Sequence, residues 1–333
     1  MMPERNDVGQ KRNDVGQKRN DVGQKRNDGY AYRMQVGDAR KGEYLSELLA
    51  RKYQHSSRKT WLSRIHTGQV VVDEKVAQDD SVIQNGACVV WNRPSWLEPA
   101  TPKTFTIEFE DDSIIVVGKP SGLPTLPSGG YLQNTLLHLV REQCSSCHPV
   151  HRLGTATSGL VLFAKSKKVA SQISTGWVSV TKRYLAIAEG DVGEAEREIR
   201  DCIGRIPHPR LGTVYGASAA GKAARTTVRP VERRPGMSLV EATLITGRPH
   251  QIRIHMAAID HPLVGDPMYA AGGSLRCDPG IPSDGGYFLH AHELVLMHPT
   301  RLDRCHFRLD APAEFNRQFA ARAGLTANAE DCC

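Results

Sequence analysis

Hydrophobic and polar positions divide the chain into an unpatterned head and two patterned stretches. Residues 5–25 are three copies of Arg-Asn-Asp-Val-Gly-Gln-Lys, with a partial fourth ending at Asp28. One valine per repeat gives no coiled-coil seam, and one glycine per repeat opposes helix. Segment 1–41 is therefore expected to be a disordered tail. From 42 the spacing changes. Tyr44-Leu-Ser-Glu-Leu-Leu-Ala50 and Thr60-Trp-Leu-Ser-Arg-Ile65 carry apolar residues at helical intervals, while Gly68-Gln-Val-Val-Val-Asp73 and Cys88-Val-Val-Trp91 read as short strands. The pattern predicts a small α/β module over 42–92. Arg93-Pro-Ser-Trp-Leu-Glu-Pro-Ala-Thr-Pro102 breaks regular structure and places a linker over 93–104.

The second patterned stretch opens with two strands, Phe105-Thr-Ile-Glu-Phe109 and Ser113-Ile-Ile-Val-Val117, around the acidic turn Glu110-Asp111-Asp112. An ordered loop, Lys119-Pro-Ser-Gly-Leu-Pro124, and a helix around Thr135-Leu-Leu-His-Leu-Val140 come next. Leu160-Val-Leu-Phe-Ala164 is a buried strand, Lys168 to Ser174 a helix, and Val178 to Ala188 a strand of alternating exposure. Gly221 to Val228 and Ser238 to Ile245 read as further strands, and a helix is expected to begin near His250. The fold class expected is α+β: a large mixed, mainly antiparallel sheet flanked by helices over 105–311, preceded by the small module. Residues 312–333 are expected to form a C-terminal tail.

At 333 residues there is room for two domains with ample core. Lysine and arginine number 43 against 36 acidic residues, a net charge of +7 that suits nucleic acid without being diagnostic of it. No apolar run approaches the ~20 residues needed to span a bilayer, and the N-terminus lacks a secretory segment, so an intracellular place is expected, in the cytoplasm or an organelle. The eight cysteines form no recognisable disulfide framework and are expected as reduced thiols. Cys144-Ser-Ser-Cys147-His148 has the spacing of haem attachment, and Cys144, Cys147 and His151 could make part of a zinc set. No second pair sits at ligand spacing, so no metal is expected.

Candidate chemistry concentrates in two places. Pro149 to Lys165 carries His151, Arg152, Thr155, Thr157 and Ser158 immediately before a core strand, a site on a rigid floor. Arg152 can fork a phosphate or carboxylate, with the hydroxyls completing its hydrogen bonds. Thr246-Gly-Arg-Pro-His-Gln-Ile-Arg-Ile-His255 places a guanidinium and free backbone N–H groups where an anion can meet them.

His151-Arg-Leu-Gly-Thr-Ala-Thr-Ser-Gly-Leu160 resembles the central motif of the RluA-type RNA pseudouridine synthases, His-Arg-Leu-Asp-x-x-Thr-Ser-Gly-Leu, with Gly154 standing where the family has its catalytic aspartate. The Lys119 to Pro124 loop, Lys182-Arg-Tyr184, the 246–255 stretch, Pro262-Leu-Val-Gly-Asp-Pro-Met-Tyr269 and Leu289-His-Ala-His-Glu-Leu294 resemble further motifs of that family, in order, from about 105 to 311. The 42–92 module resembles an S4-type RNA-binding unit, which implies RNA contacts from Arg58, Lys59 and Arg64. The resemblance implies isomerisation of uridine to pseudouridine in structured RNA, ribosomal or transfer, by a monomer without cofactor or metal. It implies a catalytic cluster at Gly154, Arg152, Tyr184 and Arg253. Substrate-binding positions would be His151, Thr157, Ser158, Gly247, Arg248, His250 and Gln251.

Without the aspartate, Arg253 needs another counter-charge: Glu241, Asp266, bound RNA or solvent. Gly154 is expected to use positive φ or close backbone approach. Two readings stand open, a synthase and a catalytically inactive RNA-binding pseudoenzyme of the same fold.

Overall fold

The computed structural model describes residues 26–321; the repeats of 5–25 and the residues after 321 lie outside that span. The N-terminal unit contains β1 (Tyr30–Gln35), α1 (Leu45–Lys52), α2 (Arg58–His66), β2 (Val70–Val72), β3 (Lys75–Val76) and β4 (Cys88–Arg93). Its sheet has the order β1-β4-β2-β3, antiparallel throughout. Leu45, Leu48 and Leu49 of α1, Trp61 and Ile65 of α2, and Val70, Val89 and Trp91 of the sheet close one core, as the helical spacing predicted. Ser57 starts α2 by accepting from the Thr60 N–H at 3.2 Å.

β1 corrects the expected tail. Residues 30–35 are nearly all exposed, so they carry no amphipathic signal, yet all six pair with β4 from Tyr30↔Arg93 to Gln35↔Cys88. An edge strand of this kind is set by its neighbour's open hydrogen-bonding groups more than by its own hydrophobicity.

The expected linker is also tied down. Glu98 is buried and accepts from the Asn27 side chain (2.7 Å) and from the backbone N–H groups of Leu132, Gln133 and Asn134 (2.8–3.1 Å). Burial works against its charge, but the surrounding donors outweigh it and hold the carboxyl below the ordinary glutamate range. Trp96 adds a bond from Nε1 to the Gly130 carbonyl at 2.6 Å.

The second unit runs through β5 (Thr106–Glu110), β6 (Ile114–Lys119), α3 (Leu136–Gln143), β7 (His148–Pro149), β8 (Ser158–Ala164), α4 (Lys167–Thr175), β9 (Thr181–Glu189), β10 (Arg197–Ile199), β11 (Ile203–His208), β12 (Gly212–Ala217), β13 (Thr226–Arg234), β14 (Met237–Leu244), α5 (Gln251–Ala258), β15 (Leu289–Met297), β16 (Arg304–Arg308) and α6 (Ala313–Ala321). The main sheet has the order β10-β13-β14-β9-β15-β8-β6-β5, with β16 beside β15 and β7 beside β8. Among the described residues only β8 and β15 pair in parallel, which makes the sheet mixed and mainly antiparallel. β11 and β12 form a separate hairpin.

The main core lies on the face that meets α3 and α5: Val117, Val161, Phe163 and Val240 pack there with Leu136, Val140, Ile252 and Met256. α4 covers the other face through Val169 and Ile173. Among the described residues no helix is long and apolar enough to cross a membrane.

Four further expectations shift. The strand expected from Val178 begins at Thr181, after a 3-10 turn over Trp177–Ser179, and that expected from Gly221 begins at Thr226. Within the expected C-terminal tail, α6 buries Phe315 and Phe319 against Ile187, Met237 and Val264. Cys144 and Cys147, expected as free thiols, form a disulfide. The turn ending α3, in which the Cys147 N–H bonds the Cys144 carbonyl (3.0 Å), brings their Cα atoms to 5.5 Å.

Candidate active site

Segments far apart in the chain converge around Gly154. Its loop leads into β8 and is clasped by residues 119–125. Lys119 donates to the carbonyls of Pro120 (2.9 Å), Leu123 (2.7 Å) and Thr155 (3.1 Å). Burial pushes its ammonium down to about 7. The Gly122 N–H also bonds the Thr155 carbonyl (2.8 Å), Ser121 Oγ the Ala156 carbonyl (2.6 Å), and Thr125 Oγ1 both the carbonyl and N–H of Leu153. Each of residues 153, 155 and 156 is thus held by its backbone, so the exposed Gly154 sits in a rigid loop.

Gly154 departs from expectation in one respect: its φ is outside the left-handed region. A Cβ there would meet the Tyr287 hydroxyl at 3.0 Å and the Thr157 hydroxyl at 3.5 Å. No backbone constraint demands glycine at this point.

Arg253, on the first turn of α5, is the charged centre. Its Nε and Nη2 donate to Asp266 Oδ2 and Oδ1 at 2.6 and 2.7 Å, a bidentate pair with both side chains almost wholly buried. Burial is the largest influence and opposes the guanidinium's charge, but the Asp266 bonds together with the fields of Tyr287, Asp266 and Tyr269 offset it, and its pKa is raised. Tyr287 lies under the guanidinium at 4.1 Å and Tyr269 at 5.0 Å. Nη1 is buried without a hydrogen-bond partner among the described residues.

Asp266 therefore resolves the expected choice of counter-charge. Its Oδ1 also accepts from the Met268 and Tyr269 N–H groups (2.8 and 3.2 Å), so the carboxylate is fully engaged. Gly265 permits this turn: its φ is +75°, and a Cβ would collide with the Gly286 carbonyl. Glu241 plays no part, being paired with Arg229 at 3.1 Å on β14.

His250 caps α5 in a left-handed conformation, φ 57°. The Tyr269 hydroxyl gives its only proton to the Tyr215 carbonyl (2.7 Å), so His250 Nδ1, 2.7 Å from it, must be the donor, leaving Nε2 an acceptor without a partner among the described residues. Burial, then the cations Arg253 and Arg152, push His250 down to about 3, keeping it neutral. Arg152 is exposed and makes no hydrogen bond among the described residues. Tyr184 lies in the same apolar cluster as Leu153, Ala156, Ile252 and Tyr287, and burial pushes its phenol up to about 12. Thr157 Oγ1 is 3.4 Å from the Tyr287 hydroxyl.

The structure gathers Arg152, Gly154, Thr157, Tyr184, His250 and Arg253 around this point and turns others away. His151 stacks on Trp177 at 4.9 Å, accepts the Leu162 N–H at 3.0 Å, and is pushed by burial down to about 3. Its Nε2 is therefore taken by the backbone and its ring by Trp177. Ser158 Oγ bonds His290 Nδ1 at 2.9 Å inside the sheet. Gln251 is internal, accepting from the Thr246 hydroxyl and the Arg248 N–H and donating to Arg225 and Thr226. It positions the loop of Gly247 and Arg248, with Arg248 itself bonded to the Ala223 carbonyl (3.1 Å).

In the N-terminal unit Arg58 is paired with Glu47 and Asp80, whereas Lys59 is exposed without a partner among the described residues. Arg64 lies over the rings of Trp61 and Trp91 at 4.4 and 4.2 Å. Tyr287 carries no motif in the sequence; only the Gly285-Gly286 pair ahead of a core strand marks it.

Residues 113–258 match a family model described as RNA pseudouridylate synthase. An uncharacterised RNA pseudouridine synthase of Synechocystis is 37% identical over 257 residues, covering 76% of this chain and 88% of the relative. RNA pseudouridine synthase 5 of Arabidopsis thaliana is 35% identical, covering 80% and 88%. Ribosomal large subunit pseudouridine synthase D of Neisseria meningitidis is 34% identical, covering 85% and 79%. Among solved structures, human RNA pseudouridylate synthase domain containing 1 superposes with a TM-score of 0.52 at 25% identity, covering 65% of this chain and 86% of its own.

Proposed function

Because the chain belongs to the RNA pseudouridine synthase family, we propose that the cleft at Gly154 isomerises a uridine of ribosomal or transfer RNA to pseudouridine. The reaction breaks the N1–C1′ bond, turns the base and forms C5–C1′; the proton lost from C5 is balanced by one gained at N1, and no electrons are exchanged. The target nucleotide has to leave its stack, at a cost of a few kcal/mol. In this reading the exposed Arg152 takes the flanking phosphate. Tyr184, protonated, covers the uracil, and Arg253 offers its unpaired Nη1 to a substrate oxygen.

One observation carries the reading: the buried Arg253–Asp266 pair, stacked on the ring of Tyr287, whose hydroxyl adjoins Gly154. A guanidinium held this firmly, with one donor to spare, is preorganised for an oxygen that gains charge. Lys59 and the rest of the 42–92 unit are assigned to gripping the RNA outside the cleft, and the protein is taken to act as a cytoplasmic monomer.

The test is incubation of the purified full chain with ribosomal and transfer RNA, scored for pseudouridine by chemical labelling and mass analysis. Product that disappears in Arg253→Met supports the assignment; full activity in that variant rejects it. Gly154 itself favours a second reading, an RNA-binding pseudoenzyme. That reading predicts RNA binding without product, and product appearing only in Gly154→Asp.

A further inference from the structure

A chamber lies between the N-terminal sheet and the 127–132 turn of the second unit. Its volume is about 800 Å³, within the ~300–1,000 Å³ range of small-ligand pockets. The pleat builds one wall. Tyr30, Tyr32 and Met34 alternate along β1, and Val89, Trp91 and Arg93 alternate along β4. The register pairs them as Tyr30↔Arg93, Tyr32↔Trp91 and Met34↔Val89, so all six share one face. α1 and α2 cover the inner part of that face; beyond their ends the two tyrosines remain exposed. Tyr53, His55 and Arg64 close a second side, and Pro127 to Leu132 a third.

The lining has a definite chemistry. The Tyr32 and Trp91 rings stack at 5.2 Å, and Tyr30 meets Tyr32 edge-on at 4.7 Å. Arg64 and Arg93 both face the chamber, no acidic residue lines it, and neither arginine has a carboxylate partner among the described residues. Burial and then the neighbouring Arg93 press Arg64 below its ordinary value. Flat rings beside unpaired cations are what a nucleobase with its phosphate requires.

The chamber is also close to the catalytic clasp. Thr125 holds Leu153, next to Gly154, and Pro127 lines the chamber. Two residues span at most about 7 Å of extended chain. One RNA strand can therefore reach both places.

We propose that this chamber is a second nucleotide site, in which an unpaired base of the substrate RNA stacks on Tyr30 and Tyr32 while Arg64 and Arg93 take its phosphate. The proposal rests on RNA being the substrate of the Gly154 cleft and adds a contact that selects RNA with a second unpaired nucleotide near the target.

The experiment uses the full chain and fluorescein-labelled hexauridylate. Replacing both exposed tyrosines, Tyr30→Ala with Tyr32→Ala, is expected to raise Kd about five- to hundredfold, the usual worth of one stacked base. The matching pair Tyr30→Phe and Tyr32→Phe keeps the rings and should bind as the native chain does, with melting unchanged in both. In the pseudouridine assay the alanine pair should raise KM and leave kcat alone. Unchanged Kd in the alanine pair overturns the proposal, as does an acidic peptide that binds there while hexauridylate does not. If the native chain makes no pseudouridine but hexauridylate binding still depends on the two rings, the synthase reading falls and this one stands. Product formed at native KM by the alanine pair has the opposite meaning.

Discussion

Gly154→Asp puts the side chain of the family pattern back where this chain has none. The new Cβ lies 3.0 Å from the Tyr287 hydroxyl and 3.5 Å from that of Thr157. The Tyr287–Thr157 contact is weak at 3.4 Å, so Tyr287 can yield a few tenths of an ångström for about 1 kcal/mol. Since the φ of residue 154 suits any residue, losing glycine's freedom in the unfolded chain returns about 0.4–1 kcal/mol. Folding stability should therefore stay nearly level. Tyr287, which the new Cβ meets, also stacks on the Arg253 guanidinium, whose Nη1 has no partner among the described residues; a hydrogen bond from it to the new carboxylate would contribute about 1.5–3 kcal/mol.

Supplying a missing nucleophile is worth several powers of ten, so single-turnover pseudouridine formation should rise about hundredfold or more. Tritium release from C5-labelled uridine in RNA measures it directly, because that hydrogen leaves as the C5–C1′ bond forms. Gly154→Asn, of equal size and no charge, is the control. The reasoning is refuted if the aspartate variant melts and binds RNA as the native chain does, yet forms product no faster than the asparagine variant.

Asp266→Asn removes the counter-charge of a buried guanidinium and should destabilise the protein by about 3–5 kcal/mol, read from denaturant unfolding. Glu98→Gln should cost about 2 kcal/mol at neutral pH, because backbone donors lose a charged acceptor. The Glu98 carboxyl is held below its ordinary value, so its contribution is complete above the unfolded glutamate pKa and is lost as pH falls through the folded one. Stability curves of native and Glu98→Gln chains should accordingly converge in acid; a gap that persists there counts against the network. Arg152→Ala should weaken RNA binding and reduce the salt slope of log K by about one, with no change in melting, since its guanidinium is exposed and without a hydrogen-bond partner among the described residues.

Local pattern in the sequence was enough for the elements whose burial repeats at a fixed interval. α1, α2, β6 and β8 lie close to where apolar spacing put them, because the side chains that define them also form their cores. The motif residues Arg152, Tyr184, His250 and Arg253 were legible for a related reason, since each sits in a short run whose residue types already suit one chemistry. What remained hidden depends on partners remote in sequence. β1 exists because β4 offers it a ladder, and Glu98 is fixed by donors more than thirty residues away. His151 belongs to the motif, yet Trp177 stacks on its ring and the Leu162 N–H takes its Nε2.

The sequence by itself placed Arg152, Tyr184, His250 and Arg253 in recognisable motifs and showed that residue 154 brings no carboxylate. Only the tertiary structure decided that Asp266 balances Arg253 and that Tyr287, 130 residues from Thr157, stands beside residue 154. Propensity and periodicity are properties of neighbours along the chain. Charge pairing in a low-dielectric interior depends on which segments the sheet brings together.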